Sequence, residues 1–447
     1  MIIMDNKIIA VILAIVIVAG GTAAFVALGD DGDEKPLTGS GRLLVYGNAD
    51  NDDYLDSADV DKIREIVESG TWDREKYPFA DADHDSDVDS EDVGYLETIL
   101  EGEEKTKMWY VGSGKIDYYF NYPNTGDIAV TVDYGLMMAQ VLDVYDRVVA
   151  GTTKCTTYNT DRYPGVGNLQ DLGTYKSADY ADFQENLMKS GCTIVMGYVA
   201  PALYDSLRES GREIDQINLS ASAQTQYADM DVVSAILTCG VLLGKADEAR
   251  EYCAFSDKME KHFADKAADS DKASFLVAYN PNNPTTISID THYPTGGCYG
   301  DVWTVSHLPM EDIIEPYATG MTKMDIETIC SDVDPDIIII SLWGAAADKD
   351  SPESVQELVD EKASYFKTSR AYKNGDIYAV NYESIGSYMG LGALGVLGAY
   401  IWPEEYDLDE GWETFYDFVK QFTYLDIDSV DELKQCGGLI VYQMTTA

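Results

Sequence analysis

The chain is short of basic residues. Its 447 residues include 31 Lys and Arg against 79 Asp and Glu, which gives a formal net charge of -48 at pH 7. This charge argues against nucleic acid and anionic lipid headgroups as partners, because both would be repelled. It suits a surface outside the cell, where cations are abundant. Since 45% of the residues are hydrophobic, the chain can still form a large core, and the acidity belongs to its surface.

The chain also lacks the motifs of common catalytic and metal centres. It contains no Gly-x-Ser-x-Gly, no His-Glu-x-x-His and no Cys-x-x-Cys, which argues against a nucleophilic hydrolase, a zinc protease, a zinc ribbon and a thioredoxin-like protein. Gly240–Lys245 resembles a phosphate-binding loop, but it is too short and continues with Ala246. With only 4 histidines, a convergent set of zinc or manganese ligands is not expected. We therefore predict that the protein is not an enzyme.

The N-terminal segment is a long apolar run. Residues 8–28 carry no charge, and a helix of that length, rising about 1.5 Å per residue, can cross a bilayer core of about 30 Å. Lys7 precedes the run and the acidic stretch Asp30–Glu34 follows it, which places the bulk of the chain outside the cell. Residues 1–29 are thus either a single transmembrane anchor in the cell membrane or a signal peptide whose cleavage releases a secreted protein. Residues 30–41 form a linker.

Two acidic stretches repeat one spacing of oxygen-bearing side chains. Both place carboxylates or amides at loop positions 1, 3, 5, 9 and 12, with a backbone carbonyl at position 7, which is the set of oxygens that Ca²⁺ requires. An acidic low-complexity linker, the alternative, would not be expected to repeat in register and run twice into an amphipathic helical pattern. The sequence therefore predicts two calcium sites. Their ligands are Asn48, Asp50, Asp52, Tyr54, Asp56 and Asp59 in the first loop, and Asp81, Asp83, Asp85, Asp87, Asp89 and Asp92 in the second.

A duplicated loop followed by a helix, with Asp rather than Glu at position 12, resembles a dockerin. The resemblance covers residues 42–104 and implies a small all-α calcium-binding module with a cohesin-type protein as its partner. An EF-hand would have a helix before each loop as well, whereas Gly41–Gly47 is typical of a short extended segment. Position 6, usually glycine, is Asp53 in the first loop and Ser86 in the second. Because Ser tolerates a left-handed backbone less well than Asp, we expect the second site to be the weaker one.

Beyond this module, residues 105–447 alternate between strand and helix patterns. The alternation predicts mainly parallel sheets covered by helices, and so an α/β fold. Two such units, at about 115–228 and about 272–436, are separated by a long helical pattern at about 229–267 that is broken near Gly244. Helices are also predicted at 310–315, 323–330, 387–400 and 412–423, the last two closing the chain.

Two α/β lobes separated by one long helix resemble a periplasmic-type binding protein of the class that serves ABC importers of iron-siderophore complexes, haem and vitamin B12. The phrases that carry the resemblance are, in chain order, Leu242–Ala249, Asp334–Ile340, Arg370–Val380 and Ala399–Tyr406. The resemblance implies two Rossmann-like lobes, a rigid hinge helix, a ligand cleft between the lobes and docking onto an ABC permease. The implied ligand is either an iron complex, namely a ferric siderophore or haem, or a corrinoid such as cobalamin.

Ligand-binding side chains are expected in the loops that follow the strands, because open α/β sheets bind ligands at the carboxyl ends of their strands. Aromatic residues dominate these loops, and stacked rings suit a large flat or chelated ligand. The chain has 32 Tyr, so chance placement is the alternative explanation. The predicted ligand residues are Asp133, Tyr134, Tyr163 and Tyr198 in the first lobe, and Tyr279, His292, Tyr293, Tyr299, Trp303, Trp343, Tyr382 and Glu383 in the second.

Two functions therefore compete. The first is a membrane-anchored extracellular substrate-binding protein of an ABC importer for iron complexes or corrinoids. The second is a cell-surface protein that assembles with a cohesin-type partner through the dockerin-like module, with the two-lobed domain as a scaffold. The sequence does not identify the transported ligand or the pairing of the 7 cysteines. It also leaves open whether the module binds a partner or is a calcium-stabilised spacer.

Overall fold

The computed structural model describes most of the chain beyond the N-terminal segment. The described residues are 41–113, 115–158, 163–174, 180–197, 209, 214–219, 231–267, 271–291, 300–314, 322–342, 352–436 and 441–445. All of them belong to one compact unit that begins at Gly39. None of the helices in this part of the chain combines the length and the apolar character needed to cross a membrane. The predicted anchor or signal peptide lies outside the described residues.

Each acidic loop leads into a helix, α1 (Ser57–Ser69) after the first and α2 (Ser90–Glu101) after the second. The loops set the start of both helices, because Asp56 and Asp89 cap them through reciprocal capping boxes with Asp59 and Asp92. Both helices end at a glycine in the left-handed conformation, Gly70 and Gly102. The side chains that they bury against each other and the rest of the core are Val60, Ile63, Ile66, Leu96 and Ile99.

A hairpin that the sequence analysis did not assign follows this module. Strands β1 (Thr106–Gly112) and β2 (Ile116–Tyr122) pair antiparallel along their whole length. One face of the hairpin is buried and one is partly exposed, as alternating strands require. Val45, in the segment before the first loop, forms an antiparallel bridge with Tyr110, so the predicted extended segment adds to the edge of the hairpin.

The first lobe is a parallel sheet with helical crossovers. In the described residues its strand order is β5-β4-β3-β6-β7, and all of its pairings are parallel. This confirms the mixed α/β prediction for the lobe. Its elements are β3 (Ile128–Val130), α3 (Asp133–Val141), β4 (Val148–Gly151), α4 (Thr153–Tyr158), β5 (Gln170–Asp171), α5 (Tyr180–Ser190), β6 (Ile194–Met196) and β7 (Asp215–Ile217). Short 3₁₀ turns lie at Tyr145–Arg147 and Val166–Asn168.

The lobes are connected by two consecutive helices, α6 (Val232–Leu243) and α7 (Ala246–Ala267). The break falls at Gly244, which takes a left-handed φ of 69° and lets the chain restart in a new direction. A Cβ on Gly240 would lie 2.5 Å from the Cβ of Ala249, so the two helices pack closely only because this position is glycine. Helix α6 is buried along its whole length, as its predominantly apolar sequence predicts.

The second lobe is a mixed sheet of 7 strands in the order β11-β9-β8-β12-β13-β14, with β10 also pairing to β8. The central strands β8, β12 and β13 are parallel. At the edges, β9 pairs antiparallel with β8, β11 pairs antiparallel with β9, and β14 pairs antiparallel with β13. The strands are β8 (Ala273–Tyr279), β9 (Thr286–Asp290), β10 (Met310–Asp312), β11 (Thr322–Asp325), β12 (Ile337–Leu342), β13 (Ile377–Asn381) and β14 (Val441–Gln443). The helices are α8 (Gly300–Val305), α9 (Ile326–Thr328, extended by a π-helical turn at Ile329–Val333), α10 (Pro352–Ala363), α11 (Arg370–Asn374), α12 (Tyr382–Ile385), α13 (Gly390–Ile401), α14 (Leu408–Phe422) and α15 (Val430–Leu433), with a 3₁₀ turn at Ser364–Phe366.

One helix prediction in this lobe is wrong and another is right only in part. Residues 310–315 begin with strand β10, whereas residues 323–330 begin inside strand β11 and become helical at Ile326, where α9 starts. Both strands are short and polar, and each is held by pairing to a neighbour, β10 to β8 and β11 to β9. The chain also closes on strand β14, which pairs antiparallel to β13, rather than on helix α14. Pairing partners far away in sequence decide these segments, and local periodicity does not report them.

The two lobes touch directly through buried polar contacts. The hydroxyl of Tyr252 in α7 donates to the carbonyl of Tyr388 at 2.8 Å, and the hydroxyl of Tyr388 donates to Gln140 Oε1 in α3 at 3.3 Å. Nearer the surface, the Tyr424 hydroxyl donates to Asp143 Oδ1 at 2.7 Å. The connecting helices therefore lie within a continuous core rather than in an open linker.

Candidate functional site

The first acidic loop, residues 48–59, closes on the carboxylate of Asp59. Its Oδ1 accepts hydrogen bonds from the backbone N–H groups of Ala49 and Asp50 at 2.7 and 3.3 Å, and its Oδ2 accepts one from Asp56 at 2.9 Å. Asn48, at position 1, is fully buried and donates its amide hydrogens to two backbone carbonyls. Its Oδ1 has no hydrogen-bond partner. A buried oxygen without a hydrogen bond destabilises the folded protein unless a cation binds to it.

The second loop, residues 81–92, repeats this closure. Asp92 Oδ1 accepts from the backbone of Ala82 and Asp83 at 2.7 and 3.2 Å, and Oδ2 accepts from Asp89 at 2.8 Å. The carboxylates of the loop gather into two groups, in each of which one oxygen per residue lies within 4.8 Å of the others. The groups are Asp81, Asp83 and Asp85, and Asp87, Asp89 and Asp92.

The backbone of the two loops differs at position 6. Both loops are left-handed at position 4, with φ of 61° at Asn51 and 63° at His84. Ser86, at position 6 of the second loop, has a φ of 88°, whereas Asp53 in the first loop does not take a positive φ. The residue expected to resist the left-handed backbone is the one that adopts it, because its N–H is held by Asp81 Oδ2 at 3.0 Å.

Without a cation, the carboxylates of both loops oppose one another. Burial raises the pKa of Asp59 to about 7 and that of Asp92 to about 6. At the exposed Asp87, repulsion from Asp85 is the main cause of a raised pKa. A divalent cation would remove both the repulsion and the cost of burying the charges. Together with the orphaned Asn48 oxygen, this all-oxygen donor set is chemically compatible with calcium, and the ligands named from the sequence stay a prediction.

The first loop is attached to the helices that connect the lobes. Arg42 forms ion pairs with Asp53 of the loop and with Asp257 of α7, at 3.3 Å from Nε to Asp53 Oδ1 and 3.2 Å from Nη2 to Asp257 Oδ2. Burial alone would lower the pKa of Arg42, but the hydrogen bonds to both carboxylates outweigh it and raise that pKa. The guanidinium of Arg250, also in α7, lies 4.3 Å from the ring centre of Tyr54.

Helix α6 holds the same segment from the other side. The backbone N–H of Leu44 donates to Thr238 Oγ1 at 3.1 Å, in a fully buried contact. Loop, flanking strand and connecting helices are thus one packed structure. The sequence predicts that residues 42–104 form a module beside the two-lobed domain. No sequence pattern indicates the ion pair between Arg42 and Asp257.

The second loop is attached to the hairpin instead. His84 stacks on Trp109 of β1, with ring centres 4.4 Å apart and planes 15° apart, and meets Tyr46 edge-on at 4.6 Å. Its Nε2 lies 3.3 Å from Asp117 Oδ2 of β2. Phe79 packs edge-on against Tyr46 at 5.5 Å and completes the cluster.

A second candidate region lies at the carboxyl edge of the first-lobe sheet. Asp133 begins α3 just after β3, and Lys154 lies in α4 just after the neighbouring parallel strand β4. Lys154 Nζ is 3.3 Å from Asp133 Oδ1, with the Asp133 side chain 9% exposed and that of Lys154 42% exposed. The rule that selected Asp133 from the sequence also selects Lys154, which the analysis missed because it weighed aromatic residues more heavily than charged ones.

The corresponding edge of the second lobe carries an aromatic pair. Tyr279 ends β8 and Tyr382 follows β13, the two strands that flank β12. Their rings meet edge-to-face, with centres 5.9 Å apart and planes 88° apart, and both are half-buried. The structure therefore brings together two residues that the sequence singled out separately. Trp303, in α8, is half-buried and packs edge-on against His307 at 4.6 Å.

The other predicted ligand residues divide into two groups. Tyr163 is 1% exposed and stacks with Tyr145 at 6.4 Å between ring centres, so it belongs to the core of the first lobe. Tyr134 and Glu383 lie in α3 and α12, and their side chains are outside the description. Predicted residues that lie wholly outside the described part of the chain are Tyr198, His292, Tyr293, Tyr299 and Trp343.

This fold has counterparts among solved structures. The TroA-like periplasmic binding protein FepB from Veillonella parvula superposes with a TM-score of 0.57 at 13% identity, over 75% of this chain and 99% of that one. Helicobacter pylori CeuE with Ni(II) bound gives 0.52 at 15% identity, over 73% and 98%. The molybdate periplasmic binding protein MolA from Haemophilus influenzae, bound to molybdate, gives 0.54 at 13% identity, over 71% and 98%.

At these identities the likeness establishes the fold, which is that of the TroA-like periplasmic binding proteins. It confirms the two-lobed α/β architecture expected from the sequence. No family model matches the chain, and no curated protein matches it. The dockerin resemblance of residues 42–104 has no counterpart in these comparisons and stays a prediction.

Proposed function

We propose that the protein is an extracellular substrate-binding protein of an ABC importer, anchored through its N-terminal segment. The observation that carries the proposal is the pairing of recognition groups at the ligand edges of a binding-protein fold. The Asp133–Lys154 ion pair marks that edge in one lobe, and the Tyr279–Tyr382 pair marks it in the other. In this proposal the cargo binds between the lobes and the loaded protein docks onto a permease.

The cargo that suits these groups best is an iron complex, either a ferric siderophore or haem, or a corrinoid. Edge-to-face tyrosines offer an apolar surface with polar hydroxyl ends, which suits a large chelated or macrocyclic ligand. The fold neighbours were solved with Ni(II) and with molybdate, so this fold accommodates metal ions and an oxyanion. With a net charge of -48, a cationic or neutral complex is favoured over a free oxyanion.

The two acidic loops are proposed to hold one calcium ion each and to brace the binding domain. The support is the orphaned Asn48 oxygen, the two carboxylate groups of the second loop, and the ion pairs from Arg42 to both loop and helix. Calcium binds only the folded loops, so it stabilises whatever is packed on them. A cohesin-type partner stays a prediction that depends on the dockerin resemblance alone.

The test of the transport proposal is a binding titration of the chain from Gly39 onward. Ferric siderophores, haem, cobalamin, Ni(II) and molybdate would each be titrated while intrinsic fluorescence is followed. We expect saturable binding of at least one iron complex or corrinoid, weakened about tenfold or more by Tyr279→Ala, in the range of one lost aromatic contact. The matched control is Tyr372→Ala, a half-buried tyrosine in α11 before β13, at the opposite edge of the same sheet.

Three results would count against the proposal. If none of the compounds binds saturably, the proposal of an import function is rejected. Equal effects of the Tyr279 and Tyr372 substitutions would show that the ligand edge lies elsewhere. If the chain instead captured a cohesin domain in calcium and bound no small molecule, the assembly function would replace it.

A further inference from the structure

Two carboxyl groups and a hydroxyl meet inside the second lobe, outside the regions described above. Asp290 ends β9, Asp301 lies in the first turn of α8, and Ser341 lies near the end of β12. Their residues are 1%, 0% and 0% exposed. Carboxylates are almost never this buried unless they are paired or bind a metal.

The sheet register explains why they meet. Asp290 pairs with Val277 of β8, and Ser341 pairs with Tyr279 of the same strand. Val277 and Tyr279 are two residues apart, so both point to one face of the sheet, and their partners point to that face with them. Asp301 reaches the same place from α8, where its carboxyl interacts with both Asp290 and Ser341.

The oxygens of this cluster are not satisfied. Both carboxylate oxygens of Asp290, Oδ2 of Asp301 and the hydroxyl of Ser341 are buried without a hydrogen-bond partner of good geometry. The remaining oxygen, Asp301 Oδ1, accepts from the Val302 backbone at 2.9 Å. The Ser341 hydroxyl adds a neutral oxygen to the acidic pair: it lies close enough to interact with the Asp301 carboxyl but makes no well-aligned hydrogen bond, whereas a buried hydroxyl normally makes one. Here it points to a ligand that both carboxyls and the hydroxyl would share.

We propose that Asp290, Asp301 and Ser341 form a third cation site, which holds one hard divalent cation between β9, α8 and β12. All the donors are oxygens, which selects a hard cation over zinc or copper. A divalent ion cancels both buried negative charges, whereas a single shared proton would cancel one of them. Calcium fits better than magnesium, because magnesium gives up its water reluctantly and the donors of this site are almost fully buried. The inference does not depend on the proposed transport function.

The test counts calcium ions bound per full-length chain by equilibrium dialysis at pH 7. The background carries Asp59→Asn and Asp92→Asn, which disable the acidic loops so that the third site is read alone. We expect the background to bind one calcium, and to lose it when Asp290→Asn and Asp301→Asn are added. Ser341→Ala should retain the site with about tenfold weaker affinity, in the range of one lost ligand. Asp332→Asn, which removes an exposed carboxylate of the same lobe, should change nothing.

A second measurement guards against a variant that fails to fold. In chelator, the Asp290→Asn, Asp301→Asn chain should melt at a higher temperature than its background, because the buried repulsion is gone. Calcium should then raise the melting temperature of the background and not that of the variant. A variant that melts lower in chelator, or responds equally to calcium, would overturn the proposal.

A shared proton is the result that would replace the cation. Burial, with the Asp301 charge beside it, raises the pKa of Asp290 to about 9. A folded-state pKa above the unfolded value means that the folded chain binds the extra proton, so stability falls as pH rises from about 4 to about 9. If this slope is the same with and without calcium and vanishes in the Asn variants, the pair binds a proton and the site holds no cation.

Discussion

The two acidic loops have nearly the same sequence pattern and quite different surroundings. The first is held by charge, with Arg42 joining Asp53 to Asp257 and Arg250 lying over Tyr54. The second is held by aromatic contacts, because His84 stacks on Trp109 and packs edge-on against Tyr46. The first loop contacts the helices that join the lobes, and the second contacts a hairpin beside them. One repeated loop pattern is therefore attached to two different parts of the molecule.

The difference teaches that a repeated sequence determines how each loop closes on itself, whereas the residues around it determine which part of the molecule the loop is attached to. Both loops use a position 12 carboxylate that accepts three backbone hydrogen bonds. Only the residues outside the repeat differ in kind, as arginines on one side and aromatic rings on the other. The comparison can be tested from the strongest coupling to the weakest.

Calcium removal should give the largest effect. Losing an ion held at about a hundred times its Kd costs roughly 3 kcal/mol per site. Because the first loop is bonded to α7, we expect chelation to speed hydrogen exchange in Ala246–Ala267 as well as in the loops. Exchange would be measured by mass spectrometry with and without calcium.

The two loops can be separated in the same measurement. In Asp59→Asn, exchange in α7 should be fast and insensitive to calcium, whereas in Asp92→Asn it should keep its calcium response. If both variants behave alike, the first loop has no special connection to the helices. If α7 never responds to calcium, the loops are a separate module, as the sequence first indicated.

The Arg42 contact should give the next largest effect. Arg42→Ala removes the guanidinium that pairs with Asp53, whose side chain is 8% exposed, and with Asp257, and we expect a loss of about 2 kcal/mol in the free energy of unfolding. The matched control is Arg64→Ala, which breaks an ion pair with Glu97 between α1 and α2. Both members of that pair are about half exposed, so about 0.5 kcal/mol or less is expected. Equal losses in urea denaturation would show that Arg42 is an ordinary surface ion pair.

The ring stack of the second loop should give the smallest effect. His84→Asn keeps a residue that tolerates the left-handed backbone at position 4 and removes the stack on Trp109, at a cost of about 1 kcal/mol. The emission of Trp109 should shift to longer wavelength as its ring meets water. Hydrogen exchange in α7 should stay unchanged, since the second loop does not touch it through these contacts. A change of hydrogen exchange in α7 would show that the second loop, like the first, is coupled to the helices that join the lobes.

Much of the fold was readable from local patterns. The break at Gly244 falls where the sequence placed it, because a mostly apolar helix that ends at a glycine has a strong local signal. Strand β10 and the end of strand β11 were assigned to helices because both strands are short, polar and held by distant partners, whereas the helix that starts at Ile326 was predicted correctly. The hairpin β1–β2 went unassigned because its aromatic strands also fit the start of an α/β pattern.

The candidate sites show the same division. Loop spacing alone identifies every proposed calcium ligand, and the carboxyl-end rule finds Asp133, Tyr279 and Tyr382. That rule also selected Tyr163, which the structure buries against Tyr145. No local signal could pair Asp290 with Ser341, since the register of β8 with two other strands brings them together.

The sequence by itself determined the acidic character, the calcium-type loops and the α/β class of this protein. These follow from composition and from spacings within about a dozen residues, which local geometry translates directly into structure. Tertiary structure alone decided that Arg42 reaches Asp257, that His84 stacks on Trp109 and that Asp290 meets Asp301. Such contacts depend on how whole elements pack, and the free energy of that packing is spread over many residues rather than over any one motif.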